Sequence, residues 1–298
     1  MKKNFLIEAS GSLTSAYLIK SIIKNGDIVT ATDIYETCHS SYLANYYIKT
    51  KRVDDPSYWS YTNKIISQKS IDFVIPLLDE TLSIWANKRK IYRDLGCIVC
   101  ISSLNTVELF NDKWLAYEFF KNYKIPTPNS SLSQDFELIK PRFGRGSTGV
   151  KITNKPVKMN NLLSQEFIEG VEYTVDILCD NDGKPIYIIP RKRLFIHEGK
   201  STAGIVEENQ CITKIARKIC SIVKFKGPIN IQIILDKNGN PHVIEINTRF
   251  SAGVALSFEA SENWIPLIID IFKNKVSPKA KEVKYGKEMY RYYAEHFI

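Results

Sequence analysis

Two short stretches of the chain carry side chains whose types and spacing suit phosphate chemistry. Residues 243–251 read V-I-E-I-N-T-R-F-S. In a strand, side chains alternate faces, so Glu245, Asn247 and Arg249 would project together while Ile244 and Ile246 enter a core. A carboxylate beside an amide oxygen suits a hard cation such as magnesium, and an arginine next along suits the phosphate that such a cation accompanies. Gln232 lies on the strand expected to pair across the turn at 236–240 and would add another oxygen. The same alternation also fits an ordinary polar strand face turned to solvent.

Residues 139–150 read I-K-P-R-F-G-R-G-S-T-G-V, in which Gly144, Gly146 and Gly149 spell G-x-G-x-x-G. A dinucleotide fingerprint must follow a strand and open a helix. Here the run after the glycines, Val150-Lys151-Ile152-Thr153, is strand-like, so the pattern predicts a hairpin. Its glycyl amides could approach phosphate oxygens closely, and Lys140, Arg142 and Arg145 would supply positive charge. The alternative is a plain solvated turn rich in glycine and serine.

The elements that must position these stretches fall into two textures. Up to residue 123 apolar runs alternate with helical patterns, as in a small parallel sheet: strands at 5–9, 28–33, 72–77 and 97–101, with a short edge strand at 51–55, and helices at 13–25, 58–69, 81–93, 105–110 and 113–123. Lys124-Ile125-Pro126-Thr127-Pro128 then breaks the pattern. After it come hairpins: 137–141 with 150–153, a strand at 163–168, 172–179 with 185–190 and 229–235 with 241–246, plus helices at 210–224 and 264–272. The Asn/Asp/Gly clusters at 180–183 and 236–239 are strong hairpin turns.

A chain of 298 residues, 44% of them apolar, is long enough for two domains with a sizeable core. No stretch is long enough to span a bilayer, and the N-terminus is charged again too soon for a signal peptide. The net charge of +9 is spread along the chain without a basic block, so neither nucleic acid nor a membrane is expected as a partner. Six cysteines include Cys97-x-x-Cys100 inside an apolar run, which reads as buried thiols in a reducing cytoplasm. His39, His197, His242 and His296 are too dispersed for a zinc site, although His197 is close enough to the Arg191 strand to touch substrate.

Taken in order, several segments resemble the ATP-grasp superfamily of ATP-dependent ligases, and most of all its carbamoyl-phosphate-synthase-like branch. They are Lys113, Lys140-Pro141-x-x-Gly144-x-Gly146-Ser147-x-Gly149, Gln165-Glu166-Phe167-Ile168-Glu169-Gly170-x-Glu172, Gln232 and Glu245-Ile246-Asn247-x-Arg249. The resemblance covers about 113–253. It implies mixed α/β and α+β architecture: a pre-ATP-grasp, Rossmann-like parallel α/β domain over 1–110, then an ATP-grasp domain over 111–298. The latter would divide into a small lid subdomain at about 129–168 and a catalytic antiparallel subdomain at about 169–298. Few residues flank the Gly-rich loop where the family carries helices, so the lid is expected to be trimmed.

By position, the resemblance implies that Lys113 and Lys140 meet ATP phosphates under a loop containing Gly144, Arg145, Gly146, Ser147 and Gly149. Glu166, Phe167 and Ile168 would form the hinge that hydrogen-bonds adenine, and Glu172 would bind the ribose. Glu245 and Asn247, with Gln232, would hold Mg²⁺; Gln232 stands where many members carry a carboxylate, leaving one acid. Arg249 would face the transferred phosphate, while Arg191 and Arg193, alternating onto one face, are candidate anion binders or else a solvated strand end. Specificity would fall to loops near Ser10, Asp33 and Asp79-Glu80 and to Ser251-Ala252-Gly253.

The implied activity is Mg-ATP-dependent joining of a small carboxylate to an amine through an acyl phosphate, releasing ADP and phosphate. The alternatives are a carbamoyl-phosphate-synthase-like or other phosphotransferase, a non-catalytic nucleotide-binding protein, and a Rossmann oxidoreductase using nicotinamide at Ser10 to Ser12. The aromatic tail Met289-Tyr290-Arg291-Tyr292-Tyr293 alternates like a closing strand or would cover a homo-oligomer interface.

Overall fold

The computed structural model describes residues 2–146, 148–197, 200–275, 278–292, 295 and 297; Ser147, Tyr293 and His296 lie outside the described residues. The first part of the chain runs β1 (Asn4–Ile7), α1 (Ser15–Lys24), β2 (Ile28–Asp33), α2 (His39–Leu43), β3 (Tyr46–Lys49), α3 (Tyr58–Gln68), β4 (Phe73–Ile75), α4 (Asp79–Asp94) and β5 (Ile98–Val99). The strands pair in parallel in the order β3-β2-β1-β4-β5. Strands buried on both faces read as continuous apolar runs, and Phe5, Leu6, Ile7, Phe73, Val74 and Ile75 are all buried. The edge strand expected at 51–55 is instead β3. Tyr46-Tyr47-Ile48-Lys49 has the aromatic and β-branched residues a strand favours, whereas 51–55 turns back on itself through the Asp55 amide to the Arg52 carbonyl at 3.0 Å.

A buried carboxylate fixes where α4 begins. Glu8, just past β1, accepts hydrogen bonds from the amides of Leu77 and Leu78 at 3.2 and 3.0 Å, from Thr81 Oγ1 at 2.5 Å and from Trp85 Nε1 at 2.8 Å. Burial raises its pKa against these bonds. The first residue of the helix it anchors is Asp79, which matters below.

Helices α5 (Leu104–Asn111) and α6 (Lys113–Asn122) are capped by Ser103 and Asp112, whose side chains accept from Thr106 N and Trp114 N. A four-stranded antiparallel sheet follows, made of β6 (Ser130–Ser131), β7 (Leu138–Pro141), β8 (Lys151–Ile152) and β9 (Leu162–Gln165) in the order β6-β9-β7-β8. Among the described residues, no helix occurs between Asn122 and Gln210.

The remainder forms β10 (Gly170–Cys179), β11 (Pro185–His197), β12 (Lys200–Val206), α7 (Gln210–Ile222), β13 (Gly227–Asp236), β14 (Pro241–Asn247), α8 (Val254–Ala260), α9 (Ile265–Phe272) and β15 (Glu288–Tyr290). Its six strands make one antiparallel sheet, β14-β13-β10-β11-β12-β15. Tyr173, Val175, Ile177, Ile229, Ile231, Ile233, Val243 and Ile246 bury one face in a core shared with Ile212, Ile215 and Ile219 of α7. Fully burying a side chain of this size contributes about 1.5–3 kcal/mol. That burial leaves the alternate residues on the opposite face, where the polar groups gather. Elements α2, β6, β12 and α8 have no counterpart in the sequence expectations. No helix among the described residues is long and apolar enough to cross a membrane.

The strict alternation expected along β14 does not hold. The register slips so that Gln232 pairs with Glu245 and Ile233 with Val243, leaving Ile244 as the extra residue of a bulge. Val243 and Ile246 are therefore the buried pair, and Ile244 is half-buried.

Candidate active site

The polar face of the central sheet assembles residues from four strands. Thr174 lies opposite Arg191 on one side and Gln232 on the other, and Gln232 lies opposite Glu245. Asn230 is paired with both Asp176 and Asn247. Asn247 Nδ2 donates to Glu245 at 3.0 Å and to Asn230 Oδ1 at 3.3 Å, and Asn230 Nδ2 donates to the Arg249 carbonyl at 3.0 Å. Glu245 is thus one carboxylate among amides. Among the described residues no group of three or more His, Cys, Asp or Glu could hold a metal.

Expected to meet anions, the three arginines all have carboxylate partners within the chain. Arg249 binds both carboxylate oxygens of Asp79, one at 2.8 Å, and also donates to the Phe250 carbonyl at 3.1 Å. Burial works against its charge, but Asp79 and then Glu245 more than offset this, and its pKa is raised. Arg191, only 1% exposed, donates to Asp176 at 2.6 Å and to Ser251 Oγ at 2.8 Å, and Ser257 donates to the same Asp176 oxygen. It is a buried structural ion pair at the cavity wall rather than a free anion binder. Arg193 bonds to Glu172 at 2.5 Å, so the carboxylate expected at a ribose is held by this arginine. Burial lowers the Arg193 pKa, with Glu172 opposing that effect.

A second cluster forms where the small sheet meets α6. Lys140 is 6% exposed and donates to Gln165 Oε1 at 2.8 Å, while Gln165 in turn donates to Ser130 Oγ at 2.9 Å. Among the described residues no carboxylate stands within ion-pair distance of Lys140. Desolvation lowers its pKa to about 8, against the pull of Glu245 and with the help of Lys113. Lys113 Nζ donates to the Gly144 carbonyl at 2.8 Å, and its amide donates to the Arg142 carbonyl at 3.0 Å, tying the Gly-rich loop to the helix start. Gly144, Gly146 and Gly149 all have positive φ, which explains their residue type. Arg145 reaches Glu80 of α4 at 3.2 Å. Glu166 accepts from the amide and side chain of Asn129 at 3.2 and 3.1 Å; beside it Phe167 is exposed and Ile168 half-buried.

Between the C-terminal ends of the parallel strands and the polar face of the six-stranded sheet lies a cavity of about 1510 Å³, lined among others by Ser12, Asp33, Arg193, Glu245, Ser251 and Arg291. Gln232, Asn247, Arg249, Arg145 and Gly146 also reach it, whereas Lys113, Lys140, Glu166 and Glu172 lie outside its wall. Asp176 and Asn230 are additions to the sequence reading and could have been found by extending the alternation from Glu172 and Gln232; Gln165 and Arg291 stand there within longer segments without a role of their own.

Oxygen ligands and a buried ammonium whose hydrogen-bond partner is neutral fit magnesium and a polyphosphate. Glu245, with the amide oxygens of Gln232 and Asn247, supplies the hard donors that Mg²⁺ prefers. Lys140 has only a neutral partner, so a phosphate would meet an uncompensated charge.

Residues 158–294 match the family described as ATP-grasp in the biosynthetic pathway with Ter operon, and residues 6–100 match the PylC-like N-terminal domain. The chain is 32% identical over 187 residues to a D-alanine–D-alanine ligase of Petrotoga mobilis, covering 52% of this chain and 62% of that protein. It is 23% identical over 245 residues to the arginine-specific carbamoyl phosphate synthase large chain of Bacillus subtilis, covering 70% of this chain but 23% of the relative. The chain therefore spans less than two thirds of either. Biotin carboxylase from Campylobacter jejuni shares the fold, with a TM-score of 0.75 at 14% identity over 97% of this chain and 74% of that one. The chain thus carries an ATP-grasp domain over residues 158–294 behind a PylC-like N-terminal domain over residues 6–100.

Proposed function

We propose that the chain is a Mg-ATP-dependent ligase that joins a carboxylate to an amine through an acyl phosphate and releases ADP and phosphate. The observation that carries this reading is the pairing of a buried lysine that lacks a carboxylate, Lys140, with a single carboxylate among amides, Glu245, which is close enough to oppose the fall in the lysine pKa. In this reading Lys113, Lys140 and the amides around Gly144 to Gly149 take the phosphates. Glu166 to Ile168 take the adenine, and Glu172, oriented by Arg193, takes the ribose.

Magnesium held by Glu245 with Asn247 and Gln232 would neutralise phosphate charge. A substrate carboxylate oxygen attacks the γ-phosphorus, the bond to the bridging oxygen breaks, and ADP leaves. An amine nitrogen then attacks the acyl carbon, phosphate departs with the carbon–oxygen bond pair, and the nitrogen loses its proton. Little covalent work falls on the protein. Its residues align two anions and exclude water from the acyl phosphate, and no nucleophilic serine or cysteine is required.

Calorimetric titration with a non-hydrolysable ATP analogue, with and without Mg²⁺, tests the reading on wild type and Glu245→Gln. Mg²⁺-dependent binding that weakens by about tenfold in the variant is expected, the loss of one charged ligand being worth at least that much. Equal binding in both proteins would overturn the metal assignment.

A further inference from the structure

Arg291 differs from the sheet arginines in having no carboxylate. It follows β15, and its NH1 donates to the Leu13 carbonyl at 3.3 Å while NH2 donates to the Ala252 carbonyl. Its Nε is buried without a partner. Among the described residues no acid lies within ion-pair distance of it. Carbonyl dipoles leave the charge of a guanidinium uncompensated, and burial together with the nearby Arg191 presses its pKa down. Such a position favours any anion that enters the cavity Arg291 lines.

One residue before Leu13, whose carbonyl Arg291 bonds, the Ser12 hydroxyl is buried and makes no hydrogen bond, and Ser12 also lines the cavity. A buried hydroxyl without a partner is unfavourable, and a ligand that bonds it relieves that cost. On the other side of the same short loop stands Asp33, which is 7% exposed. It accepts from the Gly11 amide at 2.7 Å and from the Tyr35 amide at 3.3 Å, and no cationic side chain among the described residues pairs with it. A Cβ at position 11 would sit 3.0 Å from the Asp33 carboxylate, so glycine there allows the loop to approach. An uncompensated cation and an uncompensated anion therefore flank three consecutive residues, Gly11, Ser12 and Leu13, without meeting each other.

We propose that this loop holds the zwitterionic head of an amino-acid substrate, with Arg291 and the Ser12 hydroxyl on its carboxylate and Asp33 on its ammonium group. The inference rests on the ligase reading and names the class of one of its two substrates. With both head charges engaged, the reacting group belongs to the side chain, which the same cavity leads toward Arg193 and Glu245.

The test is thermal unfolding of the full chain with each of the proteinogenic amino acids, in L and D form, with Mg²⁺ and the non-hydrolysable ATP analogue present or omitted. A ligand that binds the folded state raises the midpoint. At least one amino acid is expected to do so, and Arg291→Gln, Asp33→Asn and Ser12→Ala are each expected to weaken it by about tenfold or more, leaving the analogue shift intact. The Ser12→Ala variant removes one atom and keeps the test open should a charge variant fail to fold. An analogue shift with no amino-acid shift in wild type, or an amino-acid shift that survives all the variants, overturns the proposal and spares the ligase reading. Absence of the analogue shift counts against the ligase reading alone, because the amino-acid shift and its loss are read independently.

Discussion

Arg249 and Asp79 form a two-pronged ion pair between residues 170 positions apart, joining the segment after β14 to the first turn of α4. Their side chains are 15% and 8% exposed, so the pair is largely removed from water. Asp79 also sits at a helix N-terminus, where a negative charge is favoured. If Arg249 takes a phosphate as proposed, its position there depends on the helix that Glu8 anchors. Asp79→Asn is expected to destabilise the protein by about 3 kcal/mol, as breaking a buried pair does, and to lower kcat along with it. Urea unfolding and steady-state turnover check this; an unchanged unfolding midpoint would show that the pair contributes nothing.

Lys140 gives a pH dependence whose sign follows from its depressed pKa of about 8. Between pH 8 and the ordinary lysine value of 10.5, the unfolded chain binds a proton that the folded chain does not. Stability from this group therefore rises with pH across that window, and the cost of burying the charge is fully present below it. A nucleotide phosphate reverses the preference by favouring the ammonium. Binding of the ATP analogue near pH 8 should take up protons, and affinity should fall as pH rises further. Calorimetry in buffers of differing ionisation enthalpy measures the uptake, which Lys140→Met should abolish; uptake that persists in the variant would assign it to another group.

Local pattern carried the sequence reading as far as side-chain alternation reaches. Apolar runs marked the parallel strands, Asp/Asn/Gly clusters marked the hairpins, and the spacing Glu245, Asn247, Arg249 put these residues on the face that lines the cavity. The bulge at Ile244 was hidden, because a register slip depends on the partner strand and leaves no mark in composition. The arginine partners were hidden too. Asp79 and Asp176 reach Arg249 and Arg191 only through tertiary packing, so a cationic side chain that reads as available in sequence is already matched in space. Arg291 depends on β15 pairing with β12, a strand with no counterpart in the sequence reading.

Gly253 marks how closely the wall of the cavity is packed. A Cβ there would lie 2.4 Å from Arg191 NH1 and 3.0 Å from its Cζ. Arg191 is committed to Asp176 and Ser251 and has little room to yield. Gly253→Ala should cost about 1–3 kcal/mol, the range for overpacking. Its chemical-denaturation midpoint should fall while affinity for the ATP analogue holds; loss of analogue binding would place this loop against the nucleotide instead.

Glu172 and Arg193 bear on how the nucleoside is held. The ion pair at 2.5 Å joins a mostly buried guanidinium to a carboxylate that is 41% exposed, so water screens much of its strength. If Glu172 takes the ribose, Arg193 acts on ATP through it by fixing the carboxylate's direction. Arg193→Ala and Glu172→Gln should then each weaken the ATP analogue while leaving tripolyphosphate, which has no ribose, nearly unaffected. The double variant should lose little more than either single one, with a coupling of about 1 kcal/mol. Additive losses, or equal losses for the analogue and tripolyphosphate, would mean that Arg193 meets the phosphates directly and that Glu172 serves only to hold it.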